Sequence, residues 1–245
     1  MKNRNIIGKY SCLAFVAIIG LSACRSKTET TPVKEEVKDT AAVVCSVAPT
    51  YTITEAVQDS IALSTPSVHS SVSLIDALSN RRTVRSYSSE PLSDQQISDM
   101  LWSICGVNRE DGKLTAPTAR NAQEIDVYLY TTKAIYYYQK SGHSLKLVKE
   151  GDFRQKAGTQ PFYSQAPIAI TFVAYFNKMA DFDEEGKQFY SATDAGYVSQ
   201  NLYLYCAASG LATVACGSID RPQILETLGL TNAKPILSHP VGFEK

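Results

Sequence analysis

The sequence predicts an α+β domain, and three observations carry that expectation. Stretches with apolar residues at helical spacing begin at or near capping residues, at Ser73, Ser93, Gln188 and Asp220. Runs rich in β-branched and aromatic residues stand between and after them, set off by Gly, Pro and Ser. Their order is helices first, then several strands, then one long helix followed by strand, helix and strand, which is a mixed α+β order.

The chain starts with a segment that belongs outside the fold. Lys2, Arg4 and Lys9 precede an apolar stretch from about Cys12 to Ala23, which ends in Leu21-Ser22-Ala23-Cys24. The apolar stretch is short for a membrane-spanning helix, which needs about 18–20 residues. Small residues ahead of a cysteine form a lipobox, so residues 1–23 read as a lipoprotein signal peptide and Cys24 as the lipidated N-terminus. Residues 25–40 mix basic and acidic side chains with almost nothing apolar, and residues 41–72 add Pro49, Pro66 and many Ser and Thr. Such composition cannot bury enough surface to order itself. Residues 24–72 are therefore expected to be a disordered tether, and 73–245 the folded domain. Arg25 lacks the acidic character associated with inner-membrane retention, so the expected location is the bacterial cell envelope, on the outer membrane.

Within the domain, Ser73 caps a helix with Leu74, Ile75, Ala77 and Leu78 on one side, and Ser93-Asp94-Gln95-Gln96 is a capping box opening a helix through Ile97, Met100, Leu101 and Ile104. Strands are expected at Ile125–Thr131, Ala134–Tyr138, Leu145–Lys149 and Pro167–Tyr175, the first three as a meander. A helix from about Gln188 to Ser209 is apolar almost all round toward its end, which suits a central or interface position. Gly210 stops it, Ala212–Cys216 is a short strand, Asp220 caps a helix ending at Gly229, and Ile236–Phe243 is a last strand.

Composition limits the function. Of the 245 residues, 44% are hydrophobic and 20% charged, with 24 basic residues against 24 acidic ones. That balance fits a globular domain and gives no basic footprint for nucleic acid. Loss of the signal would remove three positive charges and leave the chain slightly acidic. Once Cys12 and Cys24 are set aside, Cys45, Cys105, Cys206 and Cys216 form no CxxC pair, and His69, His143 and His239 lie far apart. No metal-ligand spacing is visible, and the thiols read as isolated and buried. His143 reads as a turn residue and Trp102 as core. Tyr128, Tyr130, Tyr136, Tyr137 and Tyr138 read as sheet packing.

Three clusters remain for chemistry. Arg81-Arg82-Thr83-Val84-Arg85 puts three guanidiniums and a hydroxyl within five residues, enough to hold a phosphate dianion. Ala116-Pro117-Thr118-Ala119-Arg120-Asn121-Ala122-Gln123 is a Pro-bounded turn rich in side-chain amides. Val214-Ala215-Cys216-Gly217-Ser218 ends a strand in small residues that let a flat ligand approach the backbone. Each alone has an ordinary structural explanation: a solvated helix end, a loop and a strand-to-helix connection.

In this order and separation, the clusters resemble the FMN-dependent nitroreductase family over about residues 72–245. The likeness is closest to the short azoline dehydrogenase-like (SagB/ThcOx-like) subgroup, through SLIDALSNRRTVRSYSSEPLSDQQISDMLWSICGVNREDGKLTAPTARNAQEIDVYLY and DAGYVSQNLYLYCAASGLATVACGSID. The resemblance implies a four- to five-stranded mixed sheet flanked by helices and a homodimer with FMN at the subunit interface. Carried over by position, Arg81, Arg82, Thr83 and Arg85 hold the phosphate, ribityl chain and pyrimidine edge of FMN. Pro117, Thr118 and Asn121 reach the flavin of the other subunit, and Gly217 with Cys216 and Ser218 lies near flavin N5. Gln160 contacts the ring. Cys216 and Ala122 depart from bulkier residues in relatives, which opens the substrate side, and Lys245 is a candidate for a missing C-terminal phosphate contact.

The implied function is an exported, membrane-tethered FMN oxidoreductase that moves a hydride through N5 to or from a small organic substrate of nitro, quinone or heterocycle type. No general acid is expected among its residues. A non-catalytic flavin-binding or scavenging lipoprotein is the alternative.

Overall fold

A computed structural model describes residues 53–55, 57–67 and 71–245. The signal sequence and Cys24 lie outside the described residues. The elements are β1 (Ser60–Ala62), α1 (Leu74–Asn80), α2 (Asp94–Cys105), β2 (Ile125–Tyr130), β3 (Ala134–Gln139), β4 (Ser144–Glu150), β5 (Ile168–Tyr175), α3 (Glu184–Ala208), β6 (Ala212–Thr213), α4 (Arg221–Leu228) and β7 (Ala233–Gly242). Short 3-10 turns fall at Ala119–Asn121, Arg154–Ala157, Pro161–Tyr163 and Phe176–Met179.

The helix starts follow from local chemistry. The Ser73 hydroxyl accepts the Asp76 N–H, and Ser93 and Gln96 form the reciprocal capping box. Asp183 caps α3 and Asp220 caps α4, which ends on Gly229 in the left-handed conformation. The long helix thus begins earlier than its apolar pattern suggests, because Glu184 and Glu185 in its first turn favour the helix through the macrodipole.

The strands form one sheet in the order β1-β4-β3-β2-β5-β7-β6. The meander β2-β3-β4 is as expected. The expectation of a mixed, four- to five-stranded sheet is corrected: seven strands are present among the described residues, and every pairing is antiparallel. The connection β5–α3–β6 is of the crossover type that joins parallel neighbours, but β7 inserts between β5 and β6 and pairs antiparallel with both. β7 also starts three residues before its expected beginning, because Pro235 is accommodated in a strand whose outer edge is only partly paired.

Packing starts upstream of Ser73. β1 pairs with β4, Ile53 is buried in the main core, and its N–H donates to Asp94 at 2.7 Å. The Ser64 carbonyl accepts from the Ser98 hydroxyl at 2.6 Å, and the Ser67 N–H donates to Asp99 at 2.7 Å. This segment is held mainly through its backbone, so its polar side chains conceal it in the sequence.

Two apolar layers cover the sheet. On one face α2 and α3 bury Ile97, Met100, Leu101, Ile104, Val198 and Leu202 against Val127, Leu129 and Phe172. On the other, α4 and the 3-10 turns bury Ile224, Leu228 and Tyr163 against Tyr130, Ile135 and Val173. The strand tyrosines pack within the sheet layers as expected, while Trp102 is only half-buried, its indole N–H donating to the Val107 carbonyl at 3.0 Å. His143 is the turn residue expected, with its ring bonded to Tyr138 and Ser98. Cys105, Cys206 and Cys216 are free and buried.

Candidate functional site

The segment after α1 is held by two residues that turn inward. Val84 and Tyr87 are buried, the Val84 N–H donates to the Thr213 carbonyl at 3.0 Å, and the Tyr87 hydroxyl closes back on the Val84 carbonyl at 2.7 Å. Arg82, Thr83 and Arg85 consequently stay on the surface, with Arg81 half-buried beside them. Arg82 pairs with Glu244 at 2.5 Å. Neither Arg81 nor Arg85 has a carboxylate partner among the described residues.

Tyr203 on α3 joins this strip to the chain after β6. The Arg81 guanidinium lies over its ring, 5.4 Å from the centroid. Its hydroxyl meets Thr83 Oγ1 at 3.1 Å and accepts the Ala215 N–H at 2.8 Å. The Cys216 backbone then bridges Ser238, which leaves Gly217 and Ser218 exposed next to the strip. Burial pushes the Cys216 thiol up, with the nearby Arg85 charge acting in the opposite direction. A Cβ at Gly217 would meet only Leu237 Cδ2, at 3.7 Å. The fold itself therefore does not require glycine there.

Gln160 completes this group. Its Nε2 and the Thr159 hydroxyl both donate to the Ser218 carbonyl, at 3.3 and 3.2 Å, while Gln160 Oε1 is buried with no hydrogen-bond partner among the described residues. A pocket of about 170 Å³ adjoins the strip, lined by Arg82, Val84, Tyr203, Cys206, Thr213 and Glu244 among others. The structure thus brings together Arg81, Arg82, Thr83, Arg85, Gln160, Cys216, Gly217 and Ser218.

Pro117, Thr118 and Asn121 lie elsewhere. Their loop is anchored where the Asp194 carboxylate of α3 accepts the Ala119 N–H at 2.8 Å. Asp194 and Tyr203 are nine residues apart, about 13 Å along the helix axis. Thr118 Oγ1 accepts the Gln123 N–H at 2.9 Å, and Arg120, Asn121 and Gln123 all take positive φ, at 52°, 55° and 51°. Non-glycine residues hold that conformation only when the surroundings enforce it. Here the Arg120 guanidinium donates to the Asp181 carbonyl and stacks over Phe182, and Gln123 Nε2 donates to Gly112 and Asn121. Beneath the loop, Glu124 and Asp194 are both buried, and burial raises both carboxyls, Glu124 to about 7.

Tyr203, Asp194, Glu124 and His239 were not legible as site residues. His239 is fully buried under the Tyr203 ring, bonded to Ser199 through Nε2 at 2.8 Å and to Thr213 through Nδ1 at 3.1 Å. The Thr213 hydroxyl donates to the Pro240 carbonyl, so it accepts from Nδ1–H and leaves Nε2 to accept from Ser199. Burial lowers this imidazole to about 3, which keeps it neutral.

Comparison with known proteins gives the family. Residues 78–243 match the nitroreductase family model. The chain belongs to the nitroreductase family. It is 29% identical over 181 residues to a protein named as a nitroreductase in Methanocaldococcus jannaschii, covering 70% of this chain and 91% of the relative. It is 25% identical over 171 residues to the FMN reductase [NAD(P)H] of Bacillus subtilis, covering 64% of this chain and 59% of that protein. A crystal structure from Ralstonia eutropha JMP134, described as that of a nitroreductase, superposes with a TM-score of 0.74 at 34% identity, over 77% of this chain and 90% of that one. The microcin synthetase complex of Escherichia coli shares the fold at a TM-score of 0.58 and 17% identity, over 73% of this chain and 76% of that chain. This nitroreductase-family chain is a flavin oxidoreductase by that membership.

Proposed function

We propose that this nitroreductase-family protein works as a lipid-tethered homodimer in the bacterial cell envelope, holding FMN and moving hydride to or from a small nitro, quinone or heterocyclic substrate. The observation that carries the cofactor assignment is the surface strip of Arg81, Arg82 and Arg85, tied by Tyr203 to the Ala215–Ser218 turn. Three guanidiniums with one carboxylate partner among the described residues, Glu244 on Arg82, leave a charge surplus that a phosphate dianion would satisfy. The buried, unpartnered Gln160 Oε1 is an acceptor waiting for a donor, and a flavin ring has an N–H to offer. The residues present therefore fit FMN.

When bound, FMN supplies the two-electron chemistry. Arg81, Arg82, Thr83 and Arg85 would bind its phosphate, ribityl chain and pyrimidine edge. A guanidinium beside the pyrimidine edge stabilises negative charge there. Cys216, Gly217 and Ser218 would present backbone groups toward the reactive side of the ring. Gln160 would orient it.

The dimer has two supports. Leu74, Ile75 and Leu78 on α1 are 64%, 68% and 49% exposed, and Phe189 and Tyr197 on α3 add exposed aromatic surface that a second copy could cover. Pro117, Thr118 and Asn121 lie on the loop anchored at Asp194, about 13 Å along α3 from Tyr203, and the family resemblance assigns such a loop to the flavin of a second copy. Attachment through Cys24 and outer-membrane location rest on the lipobox and on Arg25. The electron donor in that compartment would differ from cytoplasmic NAD(P)H, although the Bacillus relative carries NAD(P)H in its name.

The deciding measurement is the absorption spectrum of the mature protein purified from membranes, with and without added FMN. A bound band near about 450 nm at one FMN per chain, lost in Arg81→Ala/Arg85→Ala, supports the assignment. A colourless protein that takes up no FMN refutes it. Light scattering then reports whether the particle is twice the chain mass, and Cys24→Ser reports whether membrane attachment is lost.

A further inference from the structure

The loop that carries Thr118 and Asn121 rests on two acids that a hydrophobic interior should not keep. Glu124 is fully buried and Asp194 nearly so. Among the described residues neither oxygen of the Glu124 carboxyl has an amide or hydroxyl partner from another residue, and the amide that acts on it is its own N–H. What faces it is the Asp194 carboxyl, and two carboxyls hydrogen-bond to each other only when one of them holds a proton. Asp194 spends its other hydrogen-bonding capacity on the Ala119 N–H at 2.8 Å. The remaining charge felt at Glu124 is Lys140, at the end of β3. Its ammonium is already held by the Gln123 and Ile125 carbonyls, at 3.2 and 2.6 Å, and stands 3.8 Å from Asp126. Lys140 therefore does not neutralise the pair.

We propose that Glu124 and Asp194 are positioning residues for the 118–121 loop: one proton shared between their carboxyls holds Asp194 on the Ala119 N–H, and so holds Thr118 and Asn121 where a second subunit's flavin needs them. The second half of this statement rests on the FMN assignment above, whereas the first half concerns this chain alone. With the proton in place the pair carries one negative charge, and the helix-to-loop bond is charge-assisted. Without it, two buried carboxylates repel with only the Glu124 and Ala119 N–H groups to face them, and the cheapest relief is for the loop to leave. The strained residues Arg120, Asn121 and Gln123 make that departure easier, because their positive φ is no longer enforced. Burial of Glu124 puts the loss of the proton near neutrality.

Two readouts on the mature, full protein separate the halves. The first is amide exchange of Ala119 and its loop, corrected for intrinsic rate, from about pH 5.5 to about pH 8.5. The second is the FMN dissociation constant over the same range, followed by flavin fluorescence. Both are expected to rise by about tenfold through about pH 7 in the wild type. Glu124→Gln supplies an amide N–H to Asp194 that does not titrate, so both profiles become flat while the loop stays protected. A wild-type exchange profile with no step overturns the proposal, and so does a Glu124→Gln profile that keeps the wild-type step. Exchange that steps without any change in FMN affinity upholds the anchor and overturns the flavin role of the loop. Should Glu124→Gln fail to fold, the wild-type profile alone decides.

Discussion

Around Tyr203, near one end of α3, two guanidiniums stand at the surface and a third is half-buried, with one exposed carboxylate pairing Arg82, while nine residues earlier, around Asp194, two carboxyls are buried with no ion pair to a cation among the described residues. The first region keeps its charge in water and leaves Arg81 and Arg85 without a carboxylate partner among the described residues, which is the basis of the proposed phosphate site. The second buries its charge and must settle the account internally through a proton. Each also rests on a titratable group that burial pushes toward its neutral form, in opposite directions: His239 beneath Tyr203 gives its proton up, and the Glu124–Asp194 pair beneath the loop holds one. Under the proposed function, substitutions in the surface strip should act on ligand affinity, and substitutions in the buried pair on stability and its pH dependence.

The largest expected effect separates those two roles. Arg81→Ala/Arg85→Ala removes two charge-assisted contacts of about 1.5–3 kcal/mol each, so FMN affinity falls by about 10²–10⁴-fold. The melting temperature of the FMN-free protein should move by less than about 4 °C, since Arg85 is exposed and the half-buried Arg81 gives up a stacking contact on Tyr203 of about 0.5–1 kcal/mol. Titration with FMN and thermal scans of the two apo-proteins check both halves. A large loss of stability would mean the strip is part of the fold's own support. Asp194→Ala should do the reverse: it leaves the Ala119 N–H and the buried Glu124 carboxyl unpartnered, at a cost of about 2–4 kcal/mol and about 5–15 °C in melting temperature.

The same contrast explains what the sequence made legible. Arg81, Arg82 and Arg85 are adjacent in the chain, and adjacency alone displays a charge cluster. Glu124 and Asp194 are 70 residues apart, on a loop and a helix, and only the sheet and α3 packing put them together. Tyr203 gave no signal because its role depends on which side of α3 meets β6, and His239 because it lies in a largely apolar strand that itself contains Pro235 and Pro240. The helix caps and the meander were legible because they depend on residues within a few positions of each other. β1 was not, because its partner β4 is supplied by a remote segment, and the antiparallel character of the whole sheet depends on β7 inserting beside β5.

A smaller effect comes from pH. His239 is lowered from 6.5 to about 3, so the unfolded chain takes up a proton that the native state refuses. Its share of stability is lost as pH falls from about 6.5 toward about 3, with a limiting slope of about 1.4 kcal/mol per pH unit. Glu124 is raised from 4.5 to about 7, so the native state keeps a proton that the unfolded chain releases. Its share is lost as pH rises from about 4.5 toward about 7. Between about 4.5 and about 6.5 the two slopes oppose each other, and the wild type should be nearly flat there. Glu124→Gln should expose the His239 slope, and His239→Gln the opposite one, in urea unfolding measured across that range. Two variants with slopes of the same sign would break the comparison.

The smallest effect tests whether the strip's one carboxylate is structural or competitive. Arg82 and Glu244 are 2.5 Å apart, with side chains 66% and 47% exposed. An exposed pair of this kind contributes about 0–1 kcal/mol to stability, because water and salt screen it and two long side chains are immobilised to form it. Glu244→Gln should therefore leave the unfolding free energy within about 0.5 kcal/mol of wild type. Its effect on FMN should instead be a gain: an anion approaching Arg82 no longer has to displace a carboxylate, and affinity rises by about two- to fivefold at low salt, shrinking as salt is added. A loss of affinity would place Glu244 among the groups that hold Arg82 in position, and the charge surplus of the strip would then be the work of Arg81 and Arg85 alone.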